Sequence, residues 1–212
     1  MIASLRARRA VFWHLAADRI VAAVVSRGER EPLLEACAAS YAAPVAGASF
    51  APGVAEVSWV LRCEGLASVA ALAGAFCRVD PVEPEAEAGR HALSPSFGNV
   101  ALRDRAAGSR ERAAAVAGPD GVRVWAEEAV VAEAAALFRR SRLRLVALDC
   151  EPCALASLAD ALGTGDIAAA QRQHLSAVSV LAEAESAAEA IGDDLAVPVG
   201  LAVAWLGADH AR

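Results

Sequence analysis

The segment Cys150-Glu151-Pro152-Cys153 holds the residue types best suited to chemistry in this 212-residue chain. Two cysteines separated by two residues, after a strand pattern and at the start of a helix pattern, are typical of dithiol oxidoreductases, because a helix N-terminus lowers the pKa of the first thiol. Asp149 precedes that thiol, and its negative charge would raise the pKa. We therefore expect both cysteines to act as small apolar residues, and thiol oxidoreductase chemistry at Cys150 and Cys153 stays as an alternative.

Metal-dependent and hydrolytic chemistry lack their usual residue sets. Structural zinc sites use four ligands, and neither a second C-x-x-C nor an H-x-x-x-H accompanies the first cysteine pair. The four histidines, His14, His91, His174 and His210, share no motif with a serine or cysteine nucleophile, and G-x-S-x-G is absent. We expect His14 to be packed within a strand. The sequence thus predicts a protein that is not an enzyme and that uses no metal or cofactor.

Composition and charge exclude further classes of protein. The formal net charge is −6 and no basic stripe stands out past the N-terminus, so nucleic-acid binding is not expected. The chain is 57% hydrophobic, but glycine and proline interrupt its long apolar stretch, so we expect no membrane span. No signal peptide is recognisable. Five cysteines, an odd number, suit reduced thiols in the cytoplasm. The four tryptophans, Trp13, Trp59, Trp125 and Trp205, are predicted core anchors, and a place in a partner groove is the alternative for one or two of them.

Around the cysteine pair, strand and helix patterns alternate over 121–162. A helix pattern with glutamates at its start and arginines at its end separates two β-prone runs. The predicted order is strand Val122–Trp125, helix up to Arg140, strand Leu143–Leu148 ended by Asp149, and helix Pro152–Leu162 stopped by Gly163. The short connections predict that the two strands form a parallel pair with a right-handed crossover.

The preceding residues predict an antiparallel meander followed by mixed elements. The meander strands are Val11–Leu15, Ile20–Val25 and Pro32–Cys37, joined by short turns. After them we predict a strand over Val54–Arg62, a helix over Gly65–Phe76, an exposed acidic linker over Asp80–Gly89, and a strand at Val100 and Leu102 that pairs with Val122–Trp125.

The C-terminal part is predicted to be helical. Asp166–Ala190 has a helical composition, and Leu195–Leu206 is apolar on all sides, which is typical of a buried helix. The predicted organisation is a meander lobe over 1–80, a linker with short strands over 81–120, and a strand-helix-strand-helix lobe with closing helices over 121–212.

Three short motifs resemble one family. Asp149, Glu151, Pro152, Ala154 and Leu155 form D-x-E-P-x-A-L, Ala126–Glu128 stand where a segment of roughly A-x-x-E precedes a helix, and Gly200–Val203 match G-L-A-[LV]. In this order they are similar to the PilM proteins of type IV pilus assembly and to their short HofM-type relatives in DNA-uptake operons.

The resemblance implies an α/β (α+β) fold: a partial actin-like (ribonuclease H-like) fold in which an antiparallel meander precedes a parallel β-α-β unit. The second lobe of the family would be reduced, because about thirty residues separate the two motif helices, fewer than a domain needs. In the actin-like superfamily a D-x-G-[ST] turn holds phosphate. His14, Leu15, Ala16 and Ala17 stand at those positions, so nucleotide binding is expected to be lost.

The implied function is that of a non-enzymatic cytoplasmic scaffold of a type IV pilus or DNA-uptake platform. It would bind the N-terminal cytoplasmic tail of a PilN-like inner-membrane protein and reach the membrane only through that partner. Assembly into a homo-oligomer is left open. We expect the partner groove to lie between the two lobes. Its expected residues are Trp13, Trp125, Asp149, Glu151 and Pro152. A cytoplasmic scaffold of type II secretion is the alternative within the same class.

Overall fold

The computed structural model of the protein describes residues 8–81, 113–117 and 122–207. Within these ranges the strands are β1 (Arg9–Leu15), β2 (Arg19–Arg27), β3 (Pro32–Tyr41), β4 (Ala67–Leu72), β5 (Cys77–Pro81), β6 (Ala113–Ala117), β7 (Val122–Glu127), β8 (Arg144–Cys150) and β9 (Ser179–Val180). The α-helices are α1 (Val54–Leu61), α2 (Glu128–Arg140), α3 (Glu151–Ala161), α4 (Ile167–Arg172), α5 (Ala182–Ile191) and α6 (Ala196–Gly207). Short 3₁₀ turns cover Gly74–Phe76, His174–Ala177 and Gly192–Leu195.

Six strands form the main sheet, in the order β8-β4-β1-β2-β3-β9. The first three strands are antiparallel, as predicted for the meander, whereas β1, β4 and β8 run parallel. The strands of the main sheet carry buried apolar side chains on both faces of the sheet, because helices cover both faces. One face, here called the α3–α6 face, packs against α3 to α6, and the opposite α1–α2 face packs against α1 and α2.

The predicted types of two elements are wrong, because α1 replaces a predicted strand and β4 replaces a predicted helix. In 54–61 the alternation of apolar residues suggested a strand, but the helix buries Val54, Val57 and Leu61 at helical spacing. Ala67–Leu72 is a six-residue apolar run whose residues are all buried. Such a run fits either a buried strand or part of a buried helix, and periodicity alone cannot separate them.

The predicted parallel pair of β7 and β8 is also wrong. β7 is the central strand of a separate antiparallel sheet, the small sheet, in the order β5-β7-β6. β8 instead pairs in parallel with β4. The connection that leads into β8 therefore starts from β4 and includes the small sheet and α2. Local sequence patterns could not indicate this connection, because they predicted a helix where β4 lies.

The predicted linker starts inside a strand, since Asp80 and Pro81 belong to β5. Residues 82–89 of that linker, and the predicted strand at Val100 and Leu102, lie outside the described residues. The main sheet takes β1 to β4 from the first predicted lobe and β8 from the last. The lobe boundaries themselves stay a prediction.

The C-terminal segment is helical but divided. Asp166–Ala190 contains α4, a 3₁₀ turn, the two-residue strand β9 and α5 in place of one continuous helix. The predicted closing helix is confirmed as α6, in which Val199 and Leu201 are fully buried, as is Leu195 in the preceding 3₁₀ turn. Within the described residues no helix combines the length and apolarity that crossing a bilayer requires.

Candidate functional site

The parallel strands β1, β4 and β8 end at the same edge of the main sheet, here called the carboxyl edge. His14 on β1 lies opposite Ala71 on β4, which lies opposite Asp149 on β8. α3 begins at Glu151, directly after β8, and carries Pro152 in its first turn, where the missing N–H costs nothing. Carboxyl ends of parallel strands are where α/β folds commonly place binding sites, and here they collect most of the titratable groups singled out from the sequence.

Three cysteines meet at this edge. Cys150 ends β8, Cys153 lies in the first turn of α3, and Cys77 begins β5 and packs against Cys150. The Cys77 thiol also donates to the Leu72 carbonyl oxygen at 3.9 Å. All five cysteines of the chain lie in the described residues, and all are free thiols. The sequence did not associate Cys77 with the C-x-x-C pair, from which it is separated by more than seventy residues.

The surroundings of these thiols do not favour redox catalysis. A hydrogen bond with Cys153 lowers the pKa of Cys150, but a hydrogen bond with Cys77, burial and the charge of Asp149 together raise it to about 12. The pKa of Cys153 is raised by its hydrogen bond with Cys150 and by burial. Catalytic thiols in C-x-x-C motifs have a lowered pKa, so the raised pKa of both thiols argues against the oxidoreductase alternative. The charge of Asp149 raises the pKa of Cys150, as the sequence predicted.

Asp149 is a buried carboxylate with few partners. Its side chain is 6% exposed, and its Oδ1 accepts a hydrogen bond of 2.8 Å from the backbone N–H of Cys150. Burial raises the pKa of Asp149 to about 6, although the Cys150 N–H opposes the shift. In the described part of the chain, no arginine or lysine forms an ion pair with it. A charge in such a position ordinarily has a paired group or a metal ion beside it.

His14 and Glu151 form a second polar pair at the same edge. The imidazole is 1% exposed, and its Nε2 lies 3.8 Å from Glu151 Oε2. Neither ring nitrogen has a hydrogen-bond partner in the described part of the protein. Glu151 Oε2 accepts a 2.6 Å hydrogen bond from the Gly74 N–H. The nearby His14 side chain and this N–H lower the pKa of Glu151 against the effect of burial.

The five predicted partner-binding residues differ in accessibility. Trp13 is fully buried against Phe138, at a ring-centroid distance of 5.4 Å, which leaves it no surface for a partner. Asp149 is buried as well, whereas Glu151 and Pro152 are half-buried at the start of α3. Trp125 lies in β7, where its backbone is opposite Arg78 and Ala115. Asp149, Glu151 and Pro152 thus lie together where β8 leads into α3, whereas Trp13 lies inside the core of the α1–α2 face.

The exposed apolar surface of α1 was not predicted from the sequence. Trp59 was predicted to be a core residue, but its side chain is 81% exposed, and Val60 beside it is 56% exposed. The helix turns Val54, Val57 and Leu61 inward, which leaves Trp59 and Val60 on its outer face. The helical spacing of the three inward residues was the signal available. Aromatic residues are enriched at protein interfaces, so this pair, the Trp59 patch, is a candidate contact surface.

Two solved structures are similar to this chain, one over most of its length and one over a part of it. A chain of the PilM–PilN type IV pilus biogenesis complex matches with a TM-score of 0.53 and 15% sequence identity, covering 93% of this chain and 98% of that chain. The cytoplasmic domain of EpsL, an inner-membrane component of the type II secretion system of Vibrio cholerae, matches with a TM-score of 0.40 and 11% identity, covering 70% and 59%. No protein-family model matches this sequence, and no curated protein matches it.

The first likeness decides the fold. The chain has a mixed α/β fold similar to the actin-like fold of PilM, as the sequence motifs predicted. At 15% identity the likeness concerns the fold alone. The similarity to EpsL is too low to carry an argument, so the type II secretion alternative stays a prediction.

Proposed function

We propose that this protein is a non-enzymatic cytoplasmic scaffold of a type IV pilus inner-membrane platform, and that it binds the cytoplasmic tail of a PilN-like membrane protein. The observation that carries the proposal is the structural likeness, over 93% of the chain, to a component of a PilM–PilN complex. The D-x-E-P and G-L-A motifs support it, since they occupy the start of α3 and the middle of α6. The chain reaches the membrane through its partner, and DNA uptake is the related role of the HofM-type relatives.

Two features of the described residues suit a short peptide tail. In the described residues, β5 and β6 each pair only with β7, so each has one edge without a strand partner. An extended peptide can add to such an edge through main-chain hydrogen bonds. The Trp59 patch offers a second feature, an exposed aromatic anchor of the kind that often dominates binding free energy. We propose that apolar side chains of the tail pack against the Trp59 patch.

The same structure supports a loss of nucleotide binding. The turn after β1 carries Ala16, whose N–H is already bonded to the Arg19 carbonyl oxygen at 3.0 Å. The Gly74 N–H, at the end of the neighbouring strand β4, is bonded to the Glu151 carboxylate. A phosphate group needs free N–H groups and a positive potential, and here a carboxylate stands beside the turn. We expect calorimetry to detect no binding of magnesium-ATP at micromolar strength, and such binding would contradict this part of the proposal.

The scaffold proposal is tested with peptides and a matched pair of variants. Fluorescence anisotropy would measure binding of labelled N-terminal tail peptides from PilN-like proteins to the full chain. We expect saturable binding by the natural chain, reduced at least tenfold in Trp59→Ala. Leu181→Ala is the control, because Leu181 is an exposed apolar residue, 37% accessible, at the start of α5. We expect it to bind like the natural chain.

Each outcome has a separate meaning. Absence of binding by the natural chain to any such tail would contradict the scaffold function. Equal binding by the natural chain and Trp59→Ala would remove the Trp59 patch and leave the strand edges of the small sheet as the docking surface. Equal losses in Trp59→Ala and Leu181→Ala would indicate nonspecific apolar adsorption and would also count against the function.

A further inference from the structure

The end of β8 and the first turn of α3 bring together three metal-ligating side chains. One carboxylate oxygen of Asp149 and the sulfur atoms of Cys150 and Cys153 all lie within 4.8 Å of one another. A tetrahedral zinc ion holds sulfur at about 2.3 Å and carboxylate oxygen at about 2.0–2.2 Å, so its ligands are roughly 3.5–3.8 Å apart. Small side-chain rotations would close the observed group to that spacing. We propose that Asp149, Cys150 and Cys153 form a binding site for a thiophilic divalent cation of the zinc class.

The burial of this group is an independent reason for the assignment. The Asp149 carboxylate and the Cys150 thiol are both buried, and in the described residues no basic side chain balances the carboxylate. The thiols hydrogen-bond to one another: Cys153 donates to the Cys150 sulfur, and Cys150 donates to the Cys77 sulfur. A divalent cation would replace these weak thiol contacts with coordinate bonds to two thiolates, whose protons pass to the solvent, and would bring a positive centre to the unpaired Asp149 carboxylate.

The donor types select the class of metal. Two sulfur ligands disfavour magnesium and calcium, which prefer oxygen, and favour zinc and similar borderline or soft ions. Three protein ligands leave a fourth tetrahedral position for an outside ligand. Cys77 packs against Cys150 from the small sheet but does not belong to the group of three ligand atoms. The C-x-x-C spacing alone did not indicate a metal, because the carboxylate ligand immediately precedes the pair and belongs to no common zinc motif.

The site can be tested without any assay of partner binding, so its failure and that of the scaffold function are distinguishable. The full chain would be purified with reductant, stripped of metal, and titrated with cobalt and with zinc against a chromophoric chelator. We expect one ion per chain. The cobalt complex should show thiolate-to-metal charge transfer in the near ultraviolet and the intense visible bands of a four-coordinate ion. Zinc should raise the unfolding temperature, because it binds the folded chain.

Single substitutions then assign the ligands. Removing an outer partner of a metal ligand already costs about 10- to 100-fold in affinity, so we expect Cys150→Ser and Cys153→Ser to lose at least about 100-fold. Asp149→Asn should weaken binding and keep the thiolate charge transfer. The matched controls are Cys37→Ser and Cys63→Ser, since both residues are buried thiols in other parts of the core. Both should bind zinc like the natural chain, and circular dichroism would confirm that every variant is folded.

Three results would overturn the proposal. The first is a reduced natural chain that binds no more zinc than the folded Cys150→Ser/Cys153→Ser double variant. The second is a cobalt complex without thiolate charge transfer. The third is a loss of affinity in Cys63→Ser or Cys37→Ser as large as that in Cys150→Ser, which would place the metal elsewhere.

Discussion

The two faces of the main sheet bury different kinds of side chains. On the α3–α6 face, alanines supply much of the buried surface, and the helices approach closely. On the α1–α2 face, aromatic rings fill the space: Trp13 meets Phe138 edge to face, and Phe50 meets Phe76 at 5.1 Å. The first face therefore has little room for added atoms, whereas the second depends on large side chains that cannot be removed without leaving a cavity.

Gly200 shows how closely the helices pack on the α3–α6 face. A Cβ atom at this position of α6 would lie 2.2 Å from the Ala154 carbonyl oxygen and 3.4 Å from the Cβ of Leu158 on α3. Only glycine permits the observed approach of the two helices. The G-L-A motif thus has a packing explanation that is independent of any partner. We therefore expect added atoms to destabilise the α3–α6 face and removed aromatic rings to destabilise the α1–α2 face.

The largest effect is expected from removing α6. A chain that ends at Asp193 loses Leu195, Val199 and Leu201, which are all fully buried. Each such side chain contributes about 1.5–3 kcal/mol, so a few losses approach the roughly 5–15 kcal/mol that stabilises a whole domain. We expect an insoluble or molten chain in calorimetry and near-ultraviolet circular dichroism. A truncated chain that melts cooperatively near the full-length temperature would show that α6 is peripheral.

A cavity on the aromatic face should rank second. Phe138 is fully buried between α2 and the sheet, and Phe138→Ala should lower the free energy of unfolding by about 3–5 kcal/mol. Urea denaturation followed by fluorescence would measure the change. Leu181→Ala serves as the exposed control and should change it by less than about 0.5 kcal/mol. A loss below about 1 kcal/mol at Phe138 would mean that this face repacks easily, contrary to the comparison.

Added volume on the small-residue face should come third. Gly200→Ala should lower the free energy of unfolding by about 1–3 kcal/mol through overpacking, even though alanine favours a helix by about 1 kcal/mol over glycine. Gly165→Ala is the matched control, because a Cβ there would meet nothing within 4 Å. If Gly200→Ala proved as stable as the natural chain in urea, the close approach of α3 and α6 would not be a constraint.

The smallest effect is expected on the outer surface of α1. Trp59 is 81% exposed, so Trp59→Ala should change the free energy of unfolding by no more than about 0.5 kcal/mol. Trp13→Ala, at the buried tryptophan, should cost about 3–5 kcal/mol in the same urea titration. Similar losses at both positions would indicate that Trp59 packs against the protein.

Several parts of the fold could be predicted from the sequence because their signals are local. The meander follows from three short apolar runs separated by tight turns. α2 follows from its glutamates, arginines and helical apolar spacing, and α3 from Pro152 after a strand. α6 is recognisable because Leu195–Leu206 offers no polar face, and the structure buries it.

The candidate site was predictable only in part. The C-x-x-C pair, Asp149 and Glu151 are neighbours in sequence, so their clustering followed from the D-x-E-P motif. The approach of Cys77 to Cys150, and of His14 to Glu151, depends on which strands are adjacent at the carboxyl edge. The exposure of Trp59 depends on α1 being a helix, since a strand would have placed it on the same side as Val57 and Leu61.

The sequence by itself determined where apolar segments begin and end, since turn residues and periodicity act over a few positions. Tertiary structure alone decided that Ala67–Leu72 is a strand and that β8 pairs with it. A six-residue apolar run suits either a strand or a helix, and the choice is made by the hydrogen bonds and burial that β1 and β8 provide on its two sides. The partner of β8 therefore comes from more than seventy residues earlier in the chain, and β7 pairs with β5 and β6 in the small sheet.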